Sequence, residues 1–192
     1  MGVSVLVELG GGTNPHPRAD YIVDIGHPKR MPAQDAADPP WKDWVSQDDP
    51  LAYSFLASDT VDEVYCSHFL EHIPSGQPRI NVFNEAWRVL KPGGLFRIIL
   101  PLIGYTDPYS GLPFSDQIGW QPWADPTHVS QWWFPESLMY FCQGPFKPHA
   151  NYGIAEWAPL GPYSAEADEP PKGSFWSVRN QWEGVAVLVK PS

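Results

Sequence analysis

Apolar residues fall in short bursts over the first hundred positions, and each burst has the texture of a strand or of one helix face. Val3 to Leu9 is interrupted only by Ser4 and Glu8, and Tyr21 to Ile25 only by Asp24; both predict short strands buried on two faces, as in a parallel sheet. Val61 to Ser67 and Leu95 to Leu100 predict two more. Between them, Arg79 to Leu90 sets Ile80, Phe83, Ala86, Trp87 and Leu90 at helical spacing, and Lys91-Pro92-Gly93-Gly94 stops the helix. Strand, helix and strand in succession form a βαβ unit and imply a parallel pair, so the architecture is α/β. Residues 28 to 50 carry five prolines and no period, and predict irregular chain with one helical turn around Trp41 to Val45.

Beyond Pro101 the pattern dissolves into glycine, proline and tryptophan. Residues 102 to 134 predict a long surface insertion, and Pro135 to Cys142 a short helix with proline at its first position. Ala150 to Trp157 and Glu183 to Lys190 predict a terminal antiparallel pair. No internal repeat is visible.

The segment after the first strand carries the chemistry. Gly10, Gly11 and Gly12 form a turn like those that open a nucleotide site, but Pro15 and Pro17 follow, and Pro17 would break a helix at its start. A dinucleotide fold places its pyrophosphate on that helix and its ribose on an acidic residue about 20 positions further on. Here Asp24 follows Gly10 by only 14 positions, a shortfall of about one helix. A ligand without phosphates needs no helix dipole, yet it still needs glycines for close backbone approach and a carboxylate for the ribose. S-adenosylmethionine is such a ligand.

Four ordered segments resemble the class I S-adenosylmethionine-dependent methyltransferases, particularly small members with a shortened first connection. They are Glu8-Leu9-Gly10-Gly11-Gly12, Val23-Asp24-Ile25, the stretch from Val61 through Ser67-His68-Phe69-Leu70-Glu71-His72-Ile73, and Glu85 through Lys91-Pro92-Gly93-Gly94. The resemblance covers residues 3 to 101. It implies a Rossmann-like, mostly parallel sheet with an antiparallel C-terminal strand pair and the first helix reduced or absent. It also implies roles: Glu8, Gly10, Gly11 and Gly12 against the methionine half of the cofactor, Asp24 on the ribose, Asp48 or Asp49 on the adenine side, and Ser67 and His68 at the reactive end. Lys91-Pro92-Gly93-Gly94 is read as structural.

Methyl transfer asks a protein mainly to hold an acceptor in line with an activated methyl and to exclude water, with a base adding about 10² to 10⁴-fold. His128, in Asp125-Pro126-Thr127-His128, is the candidate base, oriented by Asp125. Trp120, Trp123, Trp132 and Trp133 flank it and suggest an aromatic pocket for a small, flat or sugar-like acceptor. Two other readings compete. His68-Phe69-Leu70-Glu71-His72 matches the inverted zinc-peptidase signature, but Pro74 leaves no room for a long metal-binding helix, so no metal ligand is expected. The same fold could also bind the cofactor or a partner without activity, which cofactor and metal binding assays would separate.

Composition narrows the class further. The chain has 192 residues, enough for one domain with a real core, divided into a cofactor-binding half (1–101) and an acceptor or lid region with terminal strands (102–192). Acidic residues outnumber basic ones 22 to 12, for a formal net charge of −10, with no basic cluster; a nucleic-acid partner is not expected. No apolar run approaches the length of a membrane span and no leader pattern opens the chain, so a cytoplasmic protein without membrane contact is expected. Cys66, inside an apolar run, reads as a small hydrophobe.

Overall fold

The computed structural model describes residues 4–11, 15–24, 41–43, 56–101, 128–129, 136–142, 152–159, 176–178 and 183–192. Gly12, Asp48, Asp49 and Asp125 lie outside them, as do the four flanking tryptophans and all of the 102–134 insertion except His128 and Val129.

The strands are β1 (Leu6–Leu9), β2 (Tyr21–Asp24), β3 (Trp41–Asp43), β4 (Val61–Ser67), β5 (Leu90–Pro101), β6 (Ala158–Pro159), β7 (Trp176–Val178) and β8 (Glu183–Val189). They form one sheet in the order β3-β2-β1-β4-β5-β8-β6, with β7 also on β8. The five strands from β3 to β5 run parallel, and β8 is antiparallel to β5. This is the mostly parallel α/β sheet with an antiparallel C-terminal end that the sequence predicts.

Local chemistry explains the elements. The β4 strand buries Val61, Val64 and Cys66, with alternation from Val64 onward after the register shift between Val61 and Glu63. A 3₁₀ turn (Leu70–His72) follows it, and helix α1 (Gln77–Val89) then opens with a proline in its first turn and buries Val82, Phe83, Ala86 and Val89. At the helix stop, Lys91 to Gly94 bulge out of the β4–β5 ladder, which pairs Val61 with Leu90 and resumes at Glu63 with Leu95. Lys91 Nζ reaches both oxygens of Asp62 at 2.8 Å, and the same carboxylate accepts Val5 N at 2.8 Å, tying the bulge to the start of β1.

Helix α2 (Glu136–Met139) brings Leu138 and Phe141 into the core. Phe141 stacks on Phe83 at 3.7 Å, and Trp157 packs edge-on to Phe83 and tilted against Phe96. Asn84 of α1 clamps the same C-terminal segment, donating to Gly153 O at 2.6 Å and accepting from Ala155 N at 2.8 Å. One buried cluster therefore spans residues from Val7 to Leu188.

Two predicted elements differ. Trp41 to Asp43 is a strand rather than a helical turn, because β2 offers an open parallel edge and Ile22, Val23 and Asp24 pair with it. The Ala150–Trp157 strand is displaced: Trp157 makes only a bridge to Cys142, and Ala158–Pro159 and Trp176–Val178 take the outer edge of β8 instead. The long partner of β8 is β5, which pairs with it from Leu95 to Pro101, where both strands are mostly apolar and largely buried.

Candidate functional site

All the described candidate residues gather where β1, β2, β4 and β5 end and β8 begins. Open α/β sheets bind ligands at this carboxyl end. Between β1 and β2 the described residues hold a turn at Pro17-Arg18 and no helix. Side chains hold it in place of helical bonds. Glu8, buried within β1, accepts His16 N on Oε2 at 2.7 Å, and Asp20 accepts Leu6 N at 2.8 Å.

The glycine turn is fixed by its neighbours. Gly10 has φ +72° and donates its N–H to Val23 O at 2.8 Å, so the ends of β1 and β2 close together. A Cβ at Gly10 would lie 2.8 Å from Phe69 Cδ2, and one at Gly11 would lie 2.9 Å from Ile22 Cγ2 and 3.0 Å from Glu8 Oε2. Packing alone thus forbids a side chain at either position. Leu9 pairs with Val23, which puts Asp24 at the end of β2 beside this turn.

The β4 strand ends at Ser67, and His68 turns the chain with φ +52°, a left-handed conformation that costs a non-glycine residue about 1 kcal/mol or more. Its backbone N–H still reaches Ile99 O at 3.1 Å. The turn sends the imidazole between two carboxylates: Nδ1 lies 3.3 Å from Glu71 Oε1 and Nε2 lies 2.8 Å from Glu183 Oε1. The hydrogen bond to Glu71 and then that to Glu183 push the His68 pKa up to about 8 against partial desolvation. The two carboxylates thus favour the charged form of His68.

Glu71 and His72 sit in the 3₁₀ turn, and a distant segment joins them. Val129 N donates to Glu71 O at 3.0 Å, which seats His128 with Nε2 4.0 Å from Glu71 Oε1 and its ring 4.8 Å from that of His72. One ligand atom from each of Glu71, His72 and His128 lies within 4.8 Å of the others. The zinc-peptidase arrangement requires His68 and His72 on one helical face. Here His68 precedes the turn and faces Glu183, whereas His72 faces His128.

The structure thus brings Glu8, Gly10, Gly11, Asp24, Ser67, His68 and His128 to one end of the sheet. Two features escaped sequence reasoning: Glu183 as the partner of His68, 115 positions away, and the joining of His128 to Glu71 and His72. The first had a weak signal, a lone acidic residue opening the last apolar strand.

A parallel sheet of this order, closed by an antiparallel strand and carrying its glycine turn after β1, is the class I methyltransferase architecture. A family model described as a methyltransferase domain matches residues 23–98. Among solved structures, a SAM-dependent methyltransferase from Archaeoglobus fulgidus is similar with a TM-score of 0.57 and 16% identity, covering 98% of this chain and 87% of that one. A chain from the complex between the Haloferax volcanii Trm112 methyltransferase activator and the putative methyltransferase has a TM-score of 0.51 and 20% identity, over 98% and 83% of the two chains. The CurJ carbon methyltransferase has a TM-score of 0.53 and 16% identity, over 98% of this chain and 49% of its own. No curated protein matches the sequence significantly. In fold, the chain is similar to these S-adenosylmethionine-dependent methyltransferases, and the methyltransferase-domain model covers the segment from β2 to β5.

Proposed function

We propose that this protein transfers the methyl group of S-adenosylmethionine to a hydroxyl or amine of a small acceptor. The observation that carries the reading is the meeting, at the carboxyl end of one sheet, of the glycine turn after β1 with the histidine and carboxylate cluster after β4. The cofactor fits the residues present. The left-handed Gly10 turn lies at the carboxyl end of β1, and Asp24 ends the neighbouring strand one register step beyond the Leu9–Val23 pair.

In this reading Glu8 and Gly10 to Gly12 hold the methionine half, Asp24 takes the ribose hydroxyls and Asp49 lies toward the adenine. Ser67 and His68 border the reactive end. When bound, the cofactor supplies a methyl already activated on a sulfonium. The chain's residues orient the acceptor, keep water out and draw off its proton, and His128 serves that last step, supported by its place beside Glu71 and His72. Two buried, unbridged cysteines suit a reducing cytoplasm.

Calorimetry and thermal unfolding with S-adenosylmethionine, S-adenosylhomocysteine and NAD test the cofactor. Either of the first two, at 100 times its Kd, should stabilise the protein by about 2.7 kcal/mol, and NAD should not. Asp24→Ala should cost about 1.5–3 kcal/mol of cofactor binding, as for a charge-assisted hydrogen bond. Absence of any stabilisation by either sulfur ligand would remove the reading.

A further inference from the structure

We infer that Glu71, His72 and His128 form a binding site for a first-row divalent cation, which takes the hydroxyl oxygen of the acceptor as a further ligand. The inference rests on the methyl-transfer reading and specifies how His128 acts in it, as a ligand rather than as a free base.

Two imidazoles and one carboxylate are a donor set suited to zinc, manganese or ferrous ions, with coordination positions left over for water or substrate. Glu71 is almost wholly buried and the His128 side chain only 13% exposed, so the cation would lie in a low-dielectric recess and not on an acidic surface. The ligand atoms span up to 4.8 Å. A cation with bonds of about 2.1 Å holds donors no more than about 4.2 Å apart, so modest side-chain rotations complete the shell.

His128 owes its place to its backbone. The Val129 N to Glu71 O hydrogen bond brings the segment to the 3₁₀ turn, and the imidazole arrives facing His72 across the carboxylate. His68 contributes no ligand, because its two nitrogens are turned to Glu71 and Glu183.

The location gives the cation a task. It follows Ser67-His68, which the methyl-transfer reading sets at the reactive end of the cofactor. A hydroxyl bound to the cation gives up its proton more readily because the metal lowers its pKa, and the proton passes to a water held on one of the cation's remaining coordination positions. The oxygen then forms a bond to the methyl carbon as the carbon–sulfur bond breaks, and the sulfide leaves uncharged. The substrate class is therefore a small alcohol, phenol or sugar with an accessible hydroxyl.

The test uses the untagged full chain, stripped with chelator and titrated with Zn²⁺ or Mn²⁺ under calorimetry, with Mn²⁺ electron paramagnetic resonance as a second readout. One ion should bind per chain, with nitrogen couplings from two imidazoles. Glu71→Gln, His72→Ala and His128→Ala should each weaken binding at least about tenfold while melting normally in chelator, and His16→Ala should leave it unchanged. If His72→Ala does not fold, Glu71→Gln and His128→Ala carry the comparison. Binding no tighter than in the His128→Ala variant overturns the metal site. If His128→Ala nevertheless lowers turnover about tenfold or more at unchanged cofactor affinity, the methyl-transfer reading stands with His128 as a free base. If the ion binds but no sulfur cofactor does, that reading falls and the metal site remains.

Discussion

Gly10 is the residue at which the fold and the candidate site depend most closely on each other. Its φ of +72° lies in the left-handed region, and the missing side chain leaves space that the Phe69 ring fills. Alanine there would have to be strained in its backbone and crowd Phe69, and costs of about 1–2 and 1–3 kcal/mol attach to those two effects. Gly10→Ala should thus lose at least about 2 kcal/mol in urea unfolding before any ligand is added. A loss under about 0.5 kcal/mol would mean that Phe69 moves aside freely. The glycines of this turn were legible in the sequence as a backbone requirement. That the crowding comes from the residue after His68 was not, since nothing local to Gly10 announces a ring from the end of β4.

At the scale of elements, the corner between α1 and β5 shows what a short motif can specify. Lys91-Pro92-Gly93-Gly94 announced a helix stop, and the structure adds why the lysine matters: its ammonium bridges to Asp62, whose other bond holds Val5 N. The hydrogen bond from Lys91, then that from the Val5 backbone, hold the Asp62 pKa below its ordinary value. A carboxyl depressed in the folded state stabilises the protein above its unfolded pKa and loses that contribution as the pH falls through the folded value. Melting temperature should therefore drop on acidification from about pH 5 downwards, and Asp62→Asn should flatten part of that drop. An identical acid limb in Asp62→Asn would show that the corner contributes nothing to it.

Strand β4 was legible to the residue, because Val61, Val64 and Cys66 anchor a seven-residue run rich in strand formers. Strand β3 was not. It has three residues among prolines, and its conformation comes from the open edge of β2 and not from its own pattern. The candidate site divides in the same way. Residues within one strand and its turn could be read together, whereas His68 with Glu183, or Glu71 with His128, meet only through sheet order and loop return.

Over the whole molecule, Lys190 ties the end of the described chain to its middle. The buried ammonium donates to Asp59 Oδ1 at 2.6 Å and Leu90 O at 3.0 Å and lies 4.0 Å from the centroid of the Trp87 ring, while Lys190 N reaches Gly94 O at 3.0 Å. Removing the anion leaves the ammonium with only the Leu90 carbonyl and the Trp87 face, whereas methionine in place of the lysine keeps most of the packed stem and no charge. Asp59→Asn should cost about 1–3 kcal/mol, and more than Lys190→Met, in denaturant unfolding. The reverse order would place the stabilisation in the lysine's carbon stem.

The divided outer edge of β8 has a consequence for how the protein behaves in concentrated solution. Trp176 to Val178 cover Ala186 to Gly184, and Ala158-Pro159 cover Val189 and Leu188, so two short pieces occupy an edge that one long strand would leave continuous. A long bare strand is a template on which another chain can add and seed aggregates. Here the most apolar strand of the sheet is shielded by fragments of two and three residues, one containing a proline that cannot donate a ladder bond. Mutations that strip either fragment from β8, the strand that opens with Glu183, should therefore be felt first as turbidity.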